Sequence, residues 1–268
     1  MKIAALSLLI CTFLSANVYY SKVEPYEVRK ISSNVSGEVL FCDEDMIGKK
    51  LPAKPYIIID SKLDNDELKA INEKLNYYNS TLEADKRILV NLEETLKRKR
   101  ENYKKVEALT IKSRVEKDRE FYDLISSENS YLNTQKEINS LKTSIADLKL
   151  RRQQLLKTIA DKHLVAKGFT LYSIEVKPGQ VVSFGAPLAT VADTSKALLT
   201  IYLDDEDLAN LDKRVVYIDG LKTDYRVERV VNIADTKNIS KYRAQIIIKA
   251  PKIFSKLAKV ELKDDMNE

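Results

Sequence analysis

The chain has no tryptophan, one histidine (His163), two cysteines (Cys11 and Cys42), six glycines and six prolines in 268 residues. Each scarcity closes off a class of function. With so few soft ligands there is nothing from which to build a zinc or iron centre, and neither a Cys/His nor a Ser/His/Asp arrangement can be drawn. No nucleophile elbow, phosphate loop or pair of catalytic acids stands out. The sequence therefore does not read as an enzyme, and it calls for no cofactor. Lysine and arginine number 45 against 40 acids, and so small and dispersed a surplus gives no footprint for nucleic acid. Aromatics make up 7%, which suits a slender coiled coil better than a wide globular core.

The glycines and prolines are missing where it matters most. None occurs from Tyr56 to Lys167, and in a helix interior they would cost about 1 and 3 kcal/mol. Within that run Leu68, Ile71, Leu75, Tyr78, Leu82, Asp85, Leu89, Leu92, Leu96, Lys99, Tyr103 and Val106 alternate three and four apart. A second series, Leu124, Ser127, Tyr131, Thr134, Ile138, Leu141, Ile145, Leu148, Arg152, Leu155 and Ile159, keeps the same rhythm. A 3.5-residue apolar repeat holds one seam against a partner helix. Asp64 with Glu67 suggests the start of the first arm. Ser113 with Glu116 forms a Ser-x-x-Glu capping box for the second, which places the tip at Leu109 to Ser113. Arms of equal length joined by a few residues fold back as an antiparallel hairpin. The rival reading pairs each arm with another chain in a parallel coil, and the β segments at both ends must then be reunited.

The N-terminus carries Met1-Lys2, an apolar stretch Ile3 to Leu14, then Ser15-Ala16-Asn17. This is the pattern of a secretory signal, with cleavage after Ala16. The alternative is an uncleaved anchor extended by Val18, Tyr19 and Tyr20. Cys11 follows the bulky Ile10 and does not fit lipidation. Once the signal is removed, Cys42 is the one remaining thiol, read as a small apolar strand residue. The implied compartment lies outside the cytoplasmic membrane, most simply a periplasm.

Two flanking segments rich in Val and Ile share a plan. Each has an early glycine (Gly37, Gly168), a strand, a polar turn (Asp43-Glu44-Asp45, Lys177-Pro178-Gly179), a second glycine (Gly48, Gly185) and a last apolar strand. Gly37, Gly48, Gly168, Gly179 and Gly185 are read as structural turn residues. Neither half buries a core alone, whereas the two facing each other form a flattened sandwich. The acidic runs at Asp43 to Asp45 and Asp204 to Asp207 lack calcium-loop spacing and are read as a turn and a helix start.

The motifs "VSGEVLFCDEDMIGKKL" and "LYSIEVKPGQVVSFGAPLATVAD", bracketing a hairpin and followed by "ALLTIYLDDEDLANL", resemble the HlyD-type membrane fusion proteins, the periplasmic adaptor subunits. The resemblance implies a mixed α and β, elongated fold. A lipoyl-like β-sandwich is split by an inserted antiparallel coiled-coil hairpin and followed by a small β-barrel domain. It divides the chain into a signal or anchor (1–16), a first lipoyl-like half (24–62), the hairpin (63–161), a second half (162–195), a barrel (196–262) and a tail (263–268). The hairpin occupies the turn where a true lipoyl domain carries its modifiable lysine, so Lys49 and Lys50 are read as solvated. The family's membrane-proximal domain is expected to be absent or rudimentary.

The resemblance further implies a periplasmic adaptor, associated with the inner membrane, between an inner-membrane transporter, ABC-type or proton-driven, and an outer-membrane channel. Copies would be arranged side by side as a homo-oligomeric ring. In that family an Arg, a Leu and a Ser mark the docking tip. Aligning on Ser113 puts Val106 at the Leu position and Asn102 at the Arg position, and the arginine is missing. The expected docking residues are Val106, Leu109, Ile111, Ser113 and Val115. A function of another class, a periplasmic coiled-coil spacer with no role in transport, would have no use for a split lipoyl-like domain.

Overall fold

The computed structural model describes residues 17–208, 211–231 and 241–264. The leader expected in residues 1–16 lies outside them. The chain opens with strands β1 (Asn17–Lys22) and β2 (Glu24–Ser32). Val18, Tyr19 and Tyr20 are thus strand residues, not the continuation of an apolar anchor. β3 (Gly37–Cys42), a short 3-10 turn at Glu44–Met46 and β4 (Ile57–Ile59) lead into two long helices, α1 (Lys62–Ala108) and α2 (Arg114–Asp161).

The helices form an antiparallel pair, which removes the parallel-coil alternative. In α1 every seam position from Leu68 to Val106 is buried or half-buried, Asp85 and Lys99 included. In α2 the same holds from Leu124 to Ile159, except Arg152, which is exposed and donates to Asn72 Oδ1 at 2.7 Å. The apolar 3.5 repeat thus sets which face of each helix meets its partner. At 1.5 Å per residue the 47 and 48 residues of the two helices span about 70 Å.

The first arm does not start as expected. Asp64 and Glu67 form no capping box. Asp60 Oδ1 instead accepts from the Lys62 amide at 2.9 Å, and α1 begins there. Asp64 and Glu67 already lie inside the helix and turn toward α2, where Asp64 pairs with Lys162 and Glu67 with Arg151 at 2.7 Å.

After the hairpin come β5 (His163–Leu164), β6 (Thr170–Ile174), β7 (Val181–Val182) and β8 (Pro187–Leu203). The two halves interlock strand by strand. β4 pairs with β5, Ile57 opposite Leu164, and β3 pairs with β7, Gly37 opposite Val182. One core takes Val39, Leu51, Tyr56, Ile57 and Ile59 from before the hairpin and Leu171, Val176, Val182, Leu188 and Val191 from after it. The polar turns also meet, through Lys177 and Glu44 at 2.7 Å.

β8 then runs on into the second module. Its first part pairs with β2 and β6, and its last part with β12 (Tyr242–Lys249). The division drawn at 195/196 therefore falls inside one strand, at a polar waist from Asp193 to Lys196 that reaches neither core. The short α3 (Asp205–Leu208) precedes β9 (Arg214–Ile218), β10 (Leu221–Lys222) and β11 (Val227–Val231), and β13 (Leu257–Asp264) closes the described chain. Asp219-Gly220 makes the tight turn between β9 and β10, both residues with positive φ, as Asp-Gly hairpins require.

Two sheets, β1-β13-β9-β10 and β11-β12-β8-β2, enclose the barrel core of Ala197, Leu199, Ile201, Val216, Ile246, Val260 and Leu262. Six residues before the reach of the expected first half thus belong to the barrel, since β1 pairs with β13 from Asn17↔Leu262 to Lys22↔Leu257.

Because the halves complete one core, replacing residues 63–161 by a short Gly/Ser linker is expected to leave a soluble β protein that melts cooperatively. An unfolded circular-dichroism spectrum would contradict the shared core. In the hairpin, Ile145 is 6% exposed while Asp147 faces solvent. Ile145→Asp is expected to cost about 3–5 kcal/mol, from lost packing and an unpaired buried charge. Asp147→Lys should stay within about 0.5 kcal/mol. Thermal melting of the two variants checks the difference.

Candidate functional site: the hairpin tip and its anchorage

The tip is the turn Leu109 to Ser113 between α1 and α2. α2 starts there because Ser113 Oγ accepts from the Glu116 amide at 3.3 Å while Glu116 Oε2 accepts from the Ser113 amide at 3.0 Å. The two side chains satisfy amides that the helix itself leaves open. The Ser113 backbone bond, then Lys112 and the Ser113 hydroxyl, hold the Glu116 carboxyl at about 2, well below its usual value. Lys117 Nζ reaches back to the Glu107 carbonyl at 2.9 Å and ties the second arm to the end of the first.

This polar frame leaves apolar side chains facing outward. Ile111 is 87% exposed, Val115 77% and Leu109 42%. Ser113 is exposed while its hydroxyl also holds the cap, and Val106 is half-buried in the seam. Sequence reasoning passed over the aromatic collar just below, where Tyr122 is 70% exposed and Phe121 41%, with the Phe121 ring 5.7 Å from that of Tyr103. Its signal was the seven-residue step from Val115 to Tyr122, off the seam but on one side of α2.

The other residues singled out in the sequence anchor this arm. Gly48, Gly168, Gly179 and Gly185 sit in turns, and each donates its amide across to the opposite half of the split domain. The acceptors are Leu171 (2.8 Å), Leu51 (3.0 Å), Val39 (2.8 Å) and Ser33 (2.8 Å). Gly179 holds φ +85°, a conformation that a side chain would strain. Gly37 is not in a turn but opens β3, and a Cβ there would lie 2.7 Å from Ile59 Cγ2. At the root, His163 Nδ1 lies 2.9 Å from the Ile159 carbonyl, and Cys42 Sγ lies 3.6 Å from that of Val176. Burial raises the Cys42 thiol pKa, which keeps it protonated. Lys49 and Lys50 are exposed.

One cluster had no sequence signal beyond an acidic run. Asp207 is 1% exposed and accepts from Tyr19, Asn17 and, at 2.8 Å, Arg214. Burial opposes its charge, but these three donors outweigh it and leave the carboxyl below its ordinary value. Asp207 thereby fastens β1 and α3 to β9. Among the described residues no helix is long and apolar enough to cross a membrane.

No family model and no curated relative matches the sequence. Solved structures do match. MacA from Actinobacillus actinomycetemcomitans aligns at 16% identity and TM-score 0.72, covering 93% of this chain and 78% of that one. The membrane fusion protein Spr0693 from Streptococcus pneumoniae R6 aligns at 11% and 0.55, over 93% and 100%. A putative efflux transporter from Bacteroides eggerthii gives 14% and 0.53, over 94% and 69%. The chain shares its fold with these proteins, among them the membrane fusion protein Spr0693.

The cap generates a pH prediction. A carboxyl held low in the folded chain contributes stability above its unfolded pKa near 4.3 and loses it as pH falls toward about 2. Protection factors of the Ser113 and Glu116 amides, with the intrinsic pH dependence of exchange divided out, are therefore expected to hold down to about pH 4.3 and to fall below it. Ser113→Ala should remove the protection of the Glu116 amide, whose acceptor is Ser113 Oγ, at every pH and cost about 1 kcal/mol locally. Exchange that does not respond to either change would show that the cap does not hold this turn.

Proposed function

We propose that this protein is a periplasmic adaptor that links an inner-membrane transporter to an outer-membrane channel for efflux or secretion. The observation that carries this reading is the exposed apolar tip, Leu109, Ile111 and Val115, held about 70 Å from the β modules by a rigid pair of helices. Among the described residues no domain covers those side chains, and an apolar cluster of this kind marks a contact surface. The fold shared with Spr0693, a membrane fusion protein, and with a putative efflux transporter supports the same role.

In this reading the tips face the channel and the barrels face the transporter. Copies stand side by side as a ring that encloses a conduit. The chain acts by sealing and by transmitting motion, without catalysis.

The test is photo-crosslinking in cells from a reactive residue placed at 111, with identification of what is captured. Capture of an outer-membrane channel is expected. Leu109→Asp leaves the Ser113–Glu116 cap intact, and it should abolish both capture and export while the protein stays folded and abundant. Unchanged capture and export by that variant would remove the tip from the mechanism.

A further inference from the structure

The waist between the two modules carries a groove of about 630 Å³ that neither the tip nor the split domain explains. Val28, Ile47, Tyr172 and Phe254 line it, so its walls come from β2, from the turn after β3, from β6 and from the loop before β13. Three of these side chains are unusually open for apolar residues: Tyr172 is 72% exposed, Val28 56% and Ile47 46%. A concave, mostly apolar space of this size at the junction of two modules has the dimensions of a small-molecule site.

Two further observations fall at the same place. The β2–β8 ladder shifts register between Pro25 and Glu27, and Pro25, Thr190, Ala192 and Thr194 border the groove. Ser255, on the opposite rim, holds φ +71°, a conformation costly for a residue with a side chain, and its amide is fixed to the Val23 carbonyl at 2.8 Å. Held strain of this kind clusters where a structure is shaped for contact.

The chemistry of the walls selects the ligand. The charged side chains of the lining are one Lys22 and one Glu24, which cancel. The Thr170 and Thr194 hydroxyls bond each other at 2.7 Å, which takes up one of their two protons. A charged ligand would lose its hydration without a partner, whereas an uncharged apolar one gives up little.

We infer that this groove is a binding site for an uncharged, largely apolar small molecule, and that its occupant bridges the split β-sandwich and the barrel. The inference stands apart from the adaptor reading, because binding is measured on the purified chain with no transporter or channel present.

The probe is N-phenyl-1-naphthylamine, an uncharged dye that brightens in apolar surroundings. The absence of tryptophan from the chain keeps the optical background low. Saturable binding of one dye per chain is expected. Val28→Glu and Tyr172→Glu, both at exposed positions, should weaken it at least tenfold with unchanged melting temperatures. Leu109→Asp at the remote tip should bind like the parent. The anionic analogue 8-anilinonaphthalene-1-sulfonate should bind at least tenfold more weakly than the neutral dye. Absence of saturable binding, equal affinity in the groove variants, or equal binding of the two dyes would each overturn the inference. So would a dimer seen by sedimentation that excludes the dye and is broken by Val28→Glu, since the groove's occupant would then be a second copy.

Discussion

The structure depends on main-chain hydrogen bonds that cross between two segments separated by the whole hairpin. Gly48, Gly168, Gly179 and Gly185 give their amides to the opposite half, and Ser33, Val39, Leu51 and Leu171 return amides to Ala186, Gln180, Phe169 and Lys49. Each bond adds on the order of 1 kcal/mol net, but leaving such groups buried and unpaired costs more. Neither half can satisfy its backbone alone, so the hairpin root is closed by the same bonds that complete the sandwich. Gly37 shows how tight the fit is: its missing side chain is what lets Ile59 approach.

The hairpin itself has a thin core. Ile71, Leu82, Leu96, Ile138, Ile145 and Leu155 are its buried side chains, while other seam positions are covered only in part. Ion pairs across the arms, such as Lys99–Asp123 and Arg100–Glu128, both at 2.7 Å, lie at the surface and contribute little. The seam therefore supplies the stability, and the two ends supply the definition. At the root, Asp64 and Lys162 are paired largely out of water. At the tip, Ser113 and Glu116 complete the cap. With polar groups spent on holding the turn, the apolar residues around it are left to the surroundings.

How much of this could be read from the residues follows from how local each signal is. The seam, the cap at Ser113 and the duplicated glycine plan depend on spacing within a few turns, and they were visible. The start of α1 was misplaced because Asp60 and Asp64 both have capping chemistry, and only the tertiary pairing of Asp64 with Lys162 decides between them. β1 was hidden behind the apolar leader, since Val18 and Tyr20 read as its extension until β13 is there to pair with them. β13 reads "LAKVELKD", with as much helix-forming as strand-forming character, and only the barrel core resolves it. The continuity of β8 was masked by Asp193-Thr194-Ser195-Lys196, a run with loop composition carried within a strand by its neighbours. Asp207 was invisible as a buried anchor, because nothing in an acidic run tells which carboxylate will face an arginine.

The uninterrupted course of β8 has a mechanical consequence. Two paired strands, β8 and β2, cross the waist together, so the barrel and the sandwich are joined by continuous sheet and not by a loose tether. The arm turns small rotations there into large displacements. A tilt of about 5° at the root moves a tip about 70 Å away by roughly 6 Å. Leverage of this order lets a modest change of angle near one end of the molecule make or break a contact of side-chain dimensions at the other.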